Sequence, residues 1–222
     1  LDVREDAEVE ELGIIEGAVH IPLRTLGENL DLLPDLDATI VVVCKSGFRA
    51  TIGMTALQML GYTDVHVLVG GIGAWIGEDL PVVEAAAEVE PDMVPEAIDP
   101  MLVEYVAGYL ANLPQGWGAI GATDLFEEMF ETMPDALIDV RSDEEWAEGY
   151  IEGAEHLWIN NFYADMAELP EDMDANIVVY CASGYRGGIV ATQLGLLGYT
   201  NVRNLAGGIG AWKAAELPVV TD

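Results

Sequence analysis

The chain has 222 residues, of which 51% are hydrophobic, so its composition excludes an intrinsically disordered protein despite the high charge. Forty acidic residues against eight Lys and Arg give a formal net charge of −32, which argues against binding to nucleic acid or to an anionic membrane surface. No run approaches the roughly 18 apolar residues of a spanning helix, so we expect no membrane insertion. A packed, acidic globular protein is expected.

The first residues and the acidic composition are relevant to the cellular location of the protein. The chain begins Leu1-Asp2-Val3-Arg4, inside a predicted strand and without Met, so we expect that a leader or a first structural element is missing. Strong acidity is typical of surfaces adapted to high salt and of exported proteins, and composition does not separate the two. We expect a soluble protein that is either cytoplasmic or exported, with the exported location slightly favoured.

The predicted elements of the first half alternate between strand and helix. Thr39-Ile40-Val41-Val42-Val43 is a continuous apolar run, which is typical of a parallel strand buried on both faces. Residues 50–60 have a helical pattern that ends at Gly61, and residues 65–68 form the next strand. This alternation predicts an α/β domain with a mainly parallel sheet flanked by helices.

The second half repeats the first at an offset of 137 residues. The strand, helix and strand return at 176–180, 187–197 and 202–205, and the block Gly70-Gly71-Ile72-Gly73-Ala74-Trp75 returns as Gly207-Gly208-Ile209-Gly210-Ala211-Trp212. A stretch rich in Glu, Ala and Pro separates the copies and reads as a linker. We predict a first domain at 1–83, a linker at 84–100, and a second domain at 101–222 that opens with helices at 101–113 and 123–133.

The two cysteines stand in equivalent six-residue segments, Cys44-Lys45-Ser46-Gly47-Phe48-Arg49 and Cys181-Ala182-Ser183-Gly184-Tyr185-Arg186. One cysteine per repeat is not a disulfide framework, so we predict two free thiols. A thiol between a buried strand and a helix lies where open α/β sheets bind ligands. Backbone N–H groups there favour a thiolate or a bound anion, and the arginine adds a fork of donors for that anion.

Two other interpretations of these segments are open. A cysteine after a strand can be a small buried core residue, but two matching copies disfavour this. Of the eight Lys and Arg residues, Lys45 lies inside one segment, and arginines 4, 49, 141 and 186 occupy repeat-equivalent positions in motifs. A phosphatase loop has five residues between its cysteine and its arginine, whereas here there are four. The smaller loop favours a sulfur atom at its centre.

These segments resemble the active loop of the rhodaneses, a superfamily of sulfurtransferases that includes tandem-domain members. Asp2-Val3-Arg4 and Asp139-Val140-Arg141 are similar to its amino-terminal signature, and the two Gly-Gly-Ile-Gly-Ala-Trp blocks to its carboxyl-terminal signature. The resemblance covers nearly the whole chain apart from the linker and its helices. It implies two rhodanese-like domains, each a mainly parallel sheet flanked by helices.

The resemblance also implies an activity, that of a thiosulfate sulfurtransferase with no metal and no organic cofactor. Because both loops are complete, both Cys181 and Cys44 are expected to carry a persulfide between a small anionic donor, thiosulfate or polysulfide, and a thiol or cyanide acceptor. The expected substrate-binding residues are Lys45, Ser46, Gly47, Phe48, Arg49, Ala182, Ser183, Gly184, Tyr185 and Arg186. The expected loop supports are Asp2, Arg4, Asp139 and Arg141. The alternative is a noncatalytic binding module or a persulfide carrier, and the sequence does not indicate the oligomeric state.

Overall fold

The computed structural model describes residues 1–221 and divides into two compact units, one from Leu1 to Leu113 and one from Pro114 onward. The helices and strands of the first unit are α1 (Asp6–Leu12), β1 (Ile40–Val42), α2 (Phe48–Met59), β2 (Val65–Val67), α3 (Gly71–Gly77) and α4 (Pro100–Ala111). Short 3₁₀ helices lie at Leu23–Glu28 and Leu30–Leu32. The strands and the helix predicted at 39–43, 50–60 and 65–68 are therefore present.

The sheet of the first unit is built on the pairing of β1 with β2. The two strands run parallel, with Ile40 opposite Val65. Parallel bridges from Asp2 to Val43 and to His20 continue the sheet beyond β1. The loop that carries Cys44 therefore leaves the carboxyl end of a strand with neighbours on both sides, where parallel sheets place their ligands.

Helix α4 lies in the first unit, whereas the sequence led us to expect that residues 101–113 open the second domain. It packs against the 3₁₀ helix Leu23–Glu28, where Gly27 allows contact because a Cβ there would come within 2.7 Å of the Ala107 Cβ. Arg24 donates to the carbonyls of Ala111 and Leu113 at 3.1 and 2.6 Å. The division between compact units thus falls after Leu113 rather than before residue 101.

The second unit has a larger sheet. Its strands are β3 (Ala119–Ile120), β4 (Ala136–Asp139), β5 (Glu155–His156), β6 (Ile177–Tyr180) and β7 (Val202–Leu205), and its α-helices are α5 (Ala122–Glu131), α6 (Asp143–Ala147), α7 (Phe162–Asp165), α8 (Tyr185–Leu196) and α9 (Gly208–Ala214). Two 3₁₀ helices span Gln115–Gly118 and Met166–Glu168. The described strands pair in parallel in the order β3, β7, β6, β4, β5.

Helices cover both faces of this sheet. Strands β4 and β6 are buried along their whole length, because one core cluster lies under α8 and another under α5 and α9. Such continuous burial explains why residues 176–180 are an unbroken apolar run. The α/β class with parallel sheets flanked by helices is confirmed. Among the described residues, no helix combines the length and the apolar character needed to cross a bilayer.

Candidate active site

Each cysteine lies at the base of a loop between a central strand and a helix. Cys44 follows β1 and precedes α2, while Cys181 follows β6 directly and precedes α8. The N–H of Gly47 donates to the Cys44 Sγ, and the N–H of Gly184 donates to the Cys181 Sγ, both at 3.1 Å. Both thiols are free and only 1% exposed. In each unit the cysteine is therefore buried, with its sulfur hydrogen-bonded to the backbone of its own loop.

The first two carbonyl groups of each loop accept hydrogen bonds from the start of the second helix after that loop, α3 in the first unit and α9 in the second. In the second unit, the N–H groups of Ile209 and Gly210 donate to the carbonyls of Cys181 and Ala182 at 2.8 and 2.9 Å. Gly208 permits this approach, because it has a φ of +57° and a Cβ there would overlap the Cys181 carbonyl oxygen. Carbonyl and N–H of a trans peptide point in opposite directions, so these bonds turn the following N–H groups away from α9.

The first unit repeats this arrangement. The N–H groups of Ile72 and Gly73, at the start of α3, donate to the carbonyls of Cys44 and Lys45 at 2.8 and 3.1 Å. A Cβ at Gly71 would overlap the Cys44 carbonyl oxygen in the same way. The Gly-Gly-Ile-Gly blocks, which the sequence offered only as a signature, therefore hold the cysteine loops in place.

The loops end in helix N-termini. Gly47 and Gly184 precede α2 and α8 with φ values of +111° and +91°, which a residue with a side chain rarely adopts. The N–H groups of the first helical turn have no partner within the helix, and the helix dipole adds partial positive charge beside the sulfur. Each site therefore offers backbone donors to an anion bound at the thiol.

The arginine that closes each loop is paired with a glutamate. Arg186 Nη1 and Nη2 donate to the two carboxylate oxygens of Glu145, both at 2.6 Å. Arg49 makes the same forked pair with Glu8, at 2.5 and 2.7 Å. Because these pairs are bidentate, they fix the orientation of each guanidinium group. Binding of the sulfur donor by Arg49 and Arg186 stays a prediction.

These pairs shift the ionisation of the acids. The hydrogen bonds from Arg186 are the main cause that lowers the pKa of Glu145 from 4.5 to about 2. The hydrogen bonds from Arg49 likewise lower the pKa of Glu8. In return, Glu145 raises the pKa of Arg186, and the nearby Cys181 sulfur contributes in the same direction. Each pair is therefore ionised near neutral pH.

The predicted loop supports lie one step further from the sulfur. Arg141 donates to both carboxylate oxygens of Asp139 and also to the carbonyls of Glu145 and Gly149, both at 2.8 Å. The Asp139–Arg141 pair is almost fully buried. It holds the backbone of Glu145, whose carboxylate then holds Arg186. Asp2 and Arg4 form the matching buried pair in the first unit, and Arg4 donates to the Glu8 carbonyl at 3.2 Å.

The remaining predicted substrate-binding residues differ in exposure. Lys45, Ser46, Ser183 and Tyr185 are exposed, and Phe48 is half-buried. Ala182, the counterpart of Lys45, is half-buried and apolar. Within residues 1–221, no group of three or more His, Cys, Asp or Glu side chains is placed to hold a metal ion.

Glu8 and Glu145 are site residues that the sequence interpretation missed. Each lies 41 positions before its arginine in the chain, so no local motif connects the two. A signal was nevertheless available, since Glu8 and Glu145 obey the same 137-residue offset as the cysteines. Repeat-equivalent charged residues in a chain with few cations point to a shared structural task.

Comparison with known proteins places this geometry in a family. The family model described as Rhodanese-like domain matches residues 1–78 and 122–215, more than half of the chain. A sulfurtransferase of Allochromatium vinosum is 37% identical over 101 residues, which cover 46% of this chain and 92% of that protein.

Two further relatives are known by more specific names. A thiosulfate sulfurtransferase of Corynebacterium glutamicum is 27% identical over 216 residues, which cover 83% of this chain and 66% of that protein. The human thiosulfate:glutathione sulfurtransferase is 38% identical over 93 residues, which cover 36% of this chain and 80% of that protein.

Proposed function

Since the chain belongs to the rhodanese-like domain family of sulfurtransferases, we propose that it transfers the outer sulfur of thiosulfate to a thiol or cyanide acceptor at both cysteine loops. The observation that carries the proposal is the inward N–H donor to each sulfur at 3.1 Å, with the neighbouring carbonyls bound on the outside. A loop of this kind favours a negative charge at its centre. The names of two relatives support thiosulfate as the donor.

The first step forms a persulfide. The cysteine thiolate attacks the outer sulfur of thiosulfate, the S–S bond of the donor breaks with its electron pair leaving on sulfite, and the enzyme keeps Cys–S–S⁻. Charge is balanced, because a monoanion and a dianion give a monoanion and a dianion. The loop N–H groups stabilise the terminal sulfur, which carries the negative charge.

The second step regenerates the thiolate. Cyanide or an acceptor thiolate attacks the terminal sulfur, the S–S bond of the persulfide breaks, and the electron pair returns to the cysteine sulfur. Neither step needs an oxidant or a metal. Polysulfide is an alternative donor, because the same attack on a terminal sulfur releases a shortened polysulfide.

The local charge differs between the two sites. Lys45 stands at the mouth of the first loop, close enough to Glu8 to contribute to lowering the pKa of that carboxyl. The second loop has Ala182 at this position and the exposed ring of Tyr185 beside it. The first site should therefore bind the thiosulfate dianion more strongly than the second.

Thiocyanate formation from thiosulfate and cyanide, together with the intact mass of the protein, tests the proposal. We expect turnover by the wild-type protein and, when the acceptor is omitted, a gain of one sulfur at each cysteine. Cys44→Ser and Cys181→Ser should each keep the activity of the other site, and the double variant is the control without activity.

Each other outcome has a defined meaning. Persulfide on both cysteines without thiocyanate turnover would indicate that the protein is a sulfur carrier rather than an enzyme. No mass gain at either cysteine with thiosulfate or polysulfide would overturn the proposal altogether. Loss of all turnover in one single variant would reduce the proposal from two sites to one.

A further inference from the structure

In each loop the carbonyl of the glycine before the helix is also hydrogen-bonded. One of its donors is a buried side chain. In the first unit, the Gly47 carbonyl accepts from the N–H of Thr51 at 3.0 Å and from its Oγ1 at 3.1 Å. In the second unit, the Gly184 carbonyl accepts from the N–H of Gly188 at 2.9 Å and from Asn204 Nδ2 at 3.0 Å. Each carbonyl therefore has one helical donor and one side-chain donor.

The two side-chain donors come from positions that are not equivalent. At the 137-residue offset the counterpart of Thr51 is Gly188, and the counterpart of Asn204 is Val67, so neither counterpart has a side chain that can donate. Thr51 is a helix residue of α2, whereas Asn204 reaches across from strand β7. The two units thus satisfy the same carbonyl by different routes, which indicates that the bond itself matters.

The Asn204 side chain is costly to bury. It is 1% exposed, and among the described residues its Oδ1 is a buried oxygen that accepts no hydrogen bond. It lies against Gly187, where a Cβ would overlap it. An unsatisfied buried amide oxygen destabilises a fold, and the first unit occupies the same place with Val67. Packing alone therefore does not account for an asparagine at this position.

The carbonyl bond controls the next N–H group of the loop. The Gly47 carbonyl and the Phe48 N–H belong to one planar peptide and point in opposite directions. A Gly47 carbonyl bound on the helix side therefore turns the Phe48 N–H away from the body of α2, and the Gly184 carbonyl does the same for the N–H of Tyr185. Phe48 and Tyr185 are the first residues of their helices, where the N–H groups point out of the helix N-terminus.

We propose that Thr51 and Asn204 are positioning residues that aim the N–H groups of Phe48 and Tyr185 at an anion bound over the cysteine. The inference rests on the proposed function for the identity of that anion, a thiosulfate or a persulfide sulfur. It assigns to the second unit a positioning residue on β7, outside the loop and its helix. It also predicts that a threonine hydroxyl at the position equivalent to Thr51 can take over the role of Asn204 in the second loop.

The test is a comparison of two alkylating agents that differ in charge, iodoacetate and iodoacetamide, on the full chain. The rate at each cysteine is followed by mass spectrometry of its peptide. An aimed N–H accelerates the anionic reagent selectively, whereas a change in thiol access alters both reagents alike. Thr51→Val should lower the ratio of iodoacetate to iodoacetamide rates at Cys44 by about three- to tenfold, since one hydrogen bond to a charged group is worth roughly tenfold or more.

Matched variants separate positioning from stability. Thr55→Val removes a buried hydroxyl one turn further along α2, where it donates to the Thr51 carbonyl at 2.9 Å, and should leave the ratio unchanged. Thr51→Ser keeps the donor and should restore the ratio. Cys181 in the same molecules is an internal reference that should not change. An equal effect of Thr51→Val and Thr55→Val, or a loss in both reagents alike, overturns the proposal for the first loop.

The second loop allows a transplant. Asn204→Val should lower the ratio at Cys181, and adding Gly188→Thr, which supplies the hydroxyl found at position 51, should recover it. Thr192→Val is the control, since its hydroxyl donates to the Gly188 carbonyl at 2.8 Å. An unchanged ratio in Asn204→Val contradicts the proposal for this loop. Alkylation needs no sulfur donor, so a protein that shows these ratios but forms no persulfide refutes the proposed function alone.

Discussion

The two units carry the same loop over unequally covered sheets. The distance from the glycine N–H to the cysteine sulfur is 3.1 Å in both. In both units the carbonyls of the cysteine and of the next residue accept from N–H groups at the start of a helix, α3 or α9. Yet Val41 in the middle of β1 is 43% exposed, whereas its counterpart Val178 in β6 is fully buried. The geometry of the loop therefore depends on local hydrogen bonds, while the stability beneath it depends on what covers the sheet.

The covering in the second unit comes from α5. Leu125 of this helix is buried with Val178 and Trp212 in one core cluster, and Phe126 lies edge-on to Trp212 at 5.6 Å. In the first unit the counterpart of Trp212, Trp75, is only half-buried. We infer that the second unit is the more stable of the two, because it buries more apolar surface around an equivalent site.

The largest effect is expected where the two units are equally buried. Asp139→Ala leaves Arg141 buried without its counter-ion, and removal of one partner of a buried pair costs about 3–5 kcal/mol in free energy of unfolding. Asp2→Ala does the same to Arg4, and both aspartates are 0% exposed. Urea titration followed by hydrogen exchange of peptides from each unit measures the two losses separately.

Equal losses would show that the buried Asp–Arg pair contributes equally to the free energy of unfolding of both units. A loss below about 1 kcal/mol in either unit contradicts the inference that the pair is a buried structural element, since that is the range of exposed ion pairs.

The tryptophan pair tests the unequal cover directly, with an effect at Trp212 in the same range and a smaller one at Trp75. Trp75 and Trp212 each donate from Nε1 to a proline carbonyl at 2.8 Å, so the hydrogen bond is matched and only the burial differs. Trp212→Ala should cost about 3–5 kcal/mol, the range for a large buried aromatic side chain, and Trp75→Ala about half as much. The same exchange experiment measures both, and equal losses would contradict the difference in cover.

The parts of this structure that the sequence predicted are those encoded in short stretches. The apolar run before each cysteine, the helix after it and the repeat itself all depend on neighbouring residues, and each was predicted within about two residues. The α4 helix has an equally clear local pattern, but nothing local shows that its partner is Leu23–Glu28, more than 70 residues earlier. Its assignment to the wrong unit was therefore an error of packing rather than of secondary structure.

The site shows the same limit. The cysteine loops were found because their residues are adjacent, whereas Glu8 and Glu145 act on arginines 41 positions away. Thr51 and Asn204 are harder still, because alignment of the two repeats sets each against a residue that cannot donate. Their shared role is visible only in the structure, where each donates to the carbonyl of the loop glycine, Gly47 or Gly184.

A smaller effect is expected from a polar substitution at the centre of each sheet. Val178→Thr places a hydroxyl in a fully buried position and should cost about 1–3 kcal/mol. Val41→Thr is the same substitution at the equivalent position of the first unit. Val41 is 43% exposed, so the new hydroxyl can reach water and the cost should stay within about 0.5 kcal/mol. Thermal unfolding monitored separately for each unit checks this, and a large loss at Val41 would mean that its face is covered in solution.

The smallest effect concerns the response to acid of the Glu–Arg pairs. The folded-state pKa of Glu145 lies at about 2, below the ordinary 4.5, so its contribution to stability is present above pH 4.5 and is lost as the pH falls towards 2. Glu145→Gln cannot ionise, so the stability gap between wild type and variant should be constant above pH 4.5 and shrink below it. Glu8→Gln should behave in the same direction, because its pKa is also lowered. Unfolding midpoints in urea at pH 7, 4 and 3 measure the gap. A gap that widens in acid at either position contradicts the assignment of that glutamate as the ionised partner of its loop arginine.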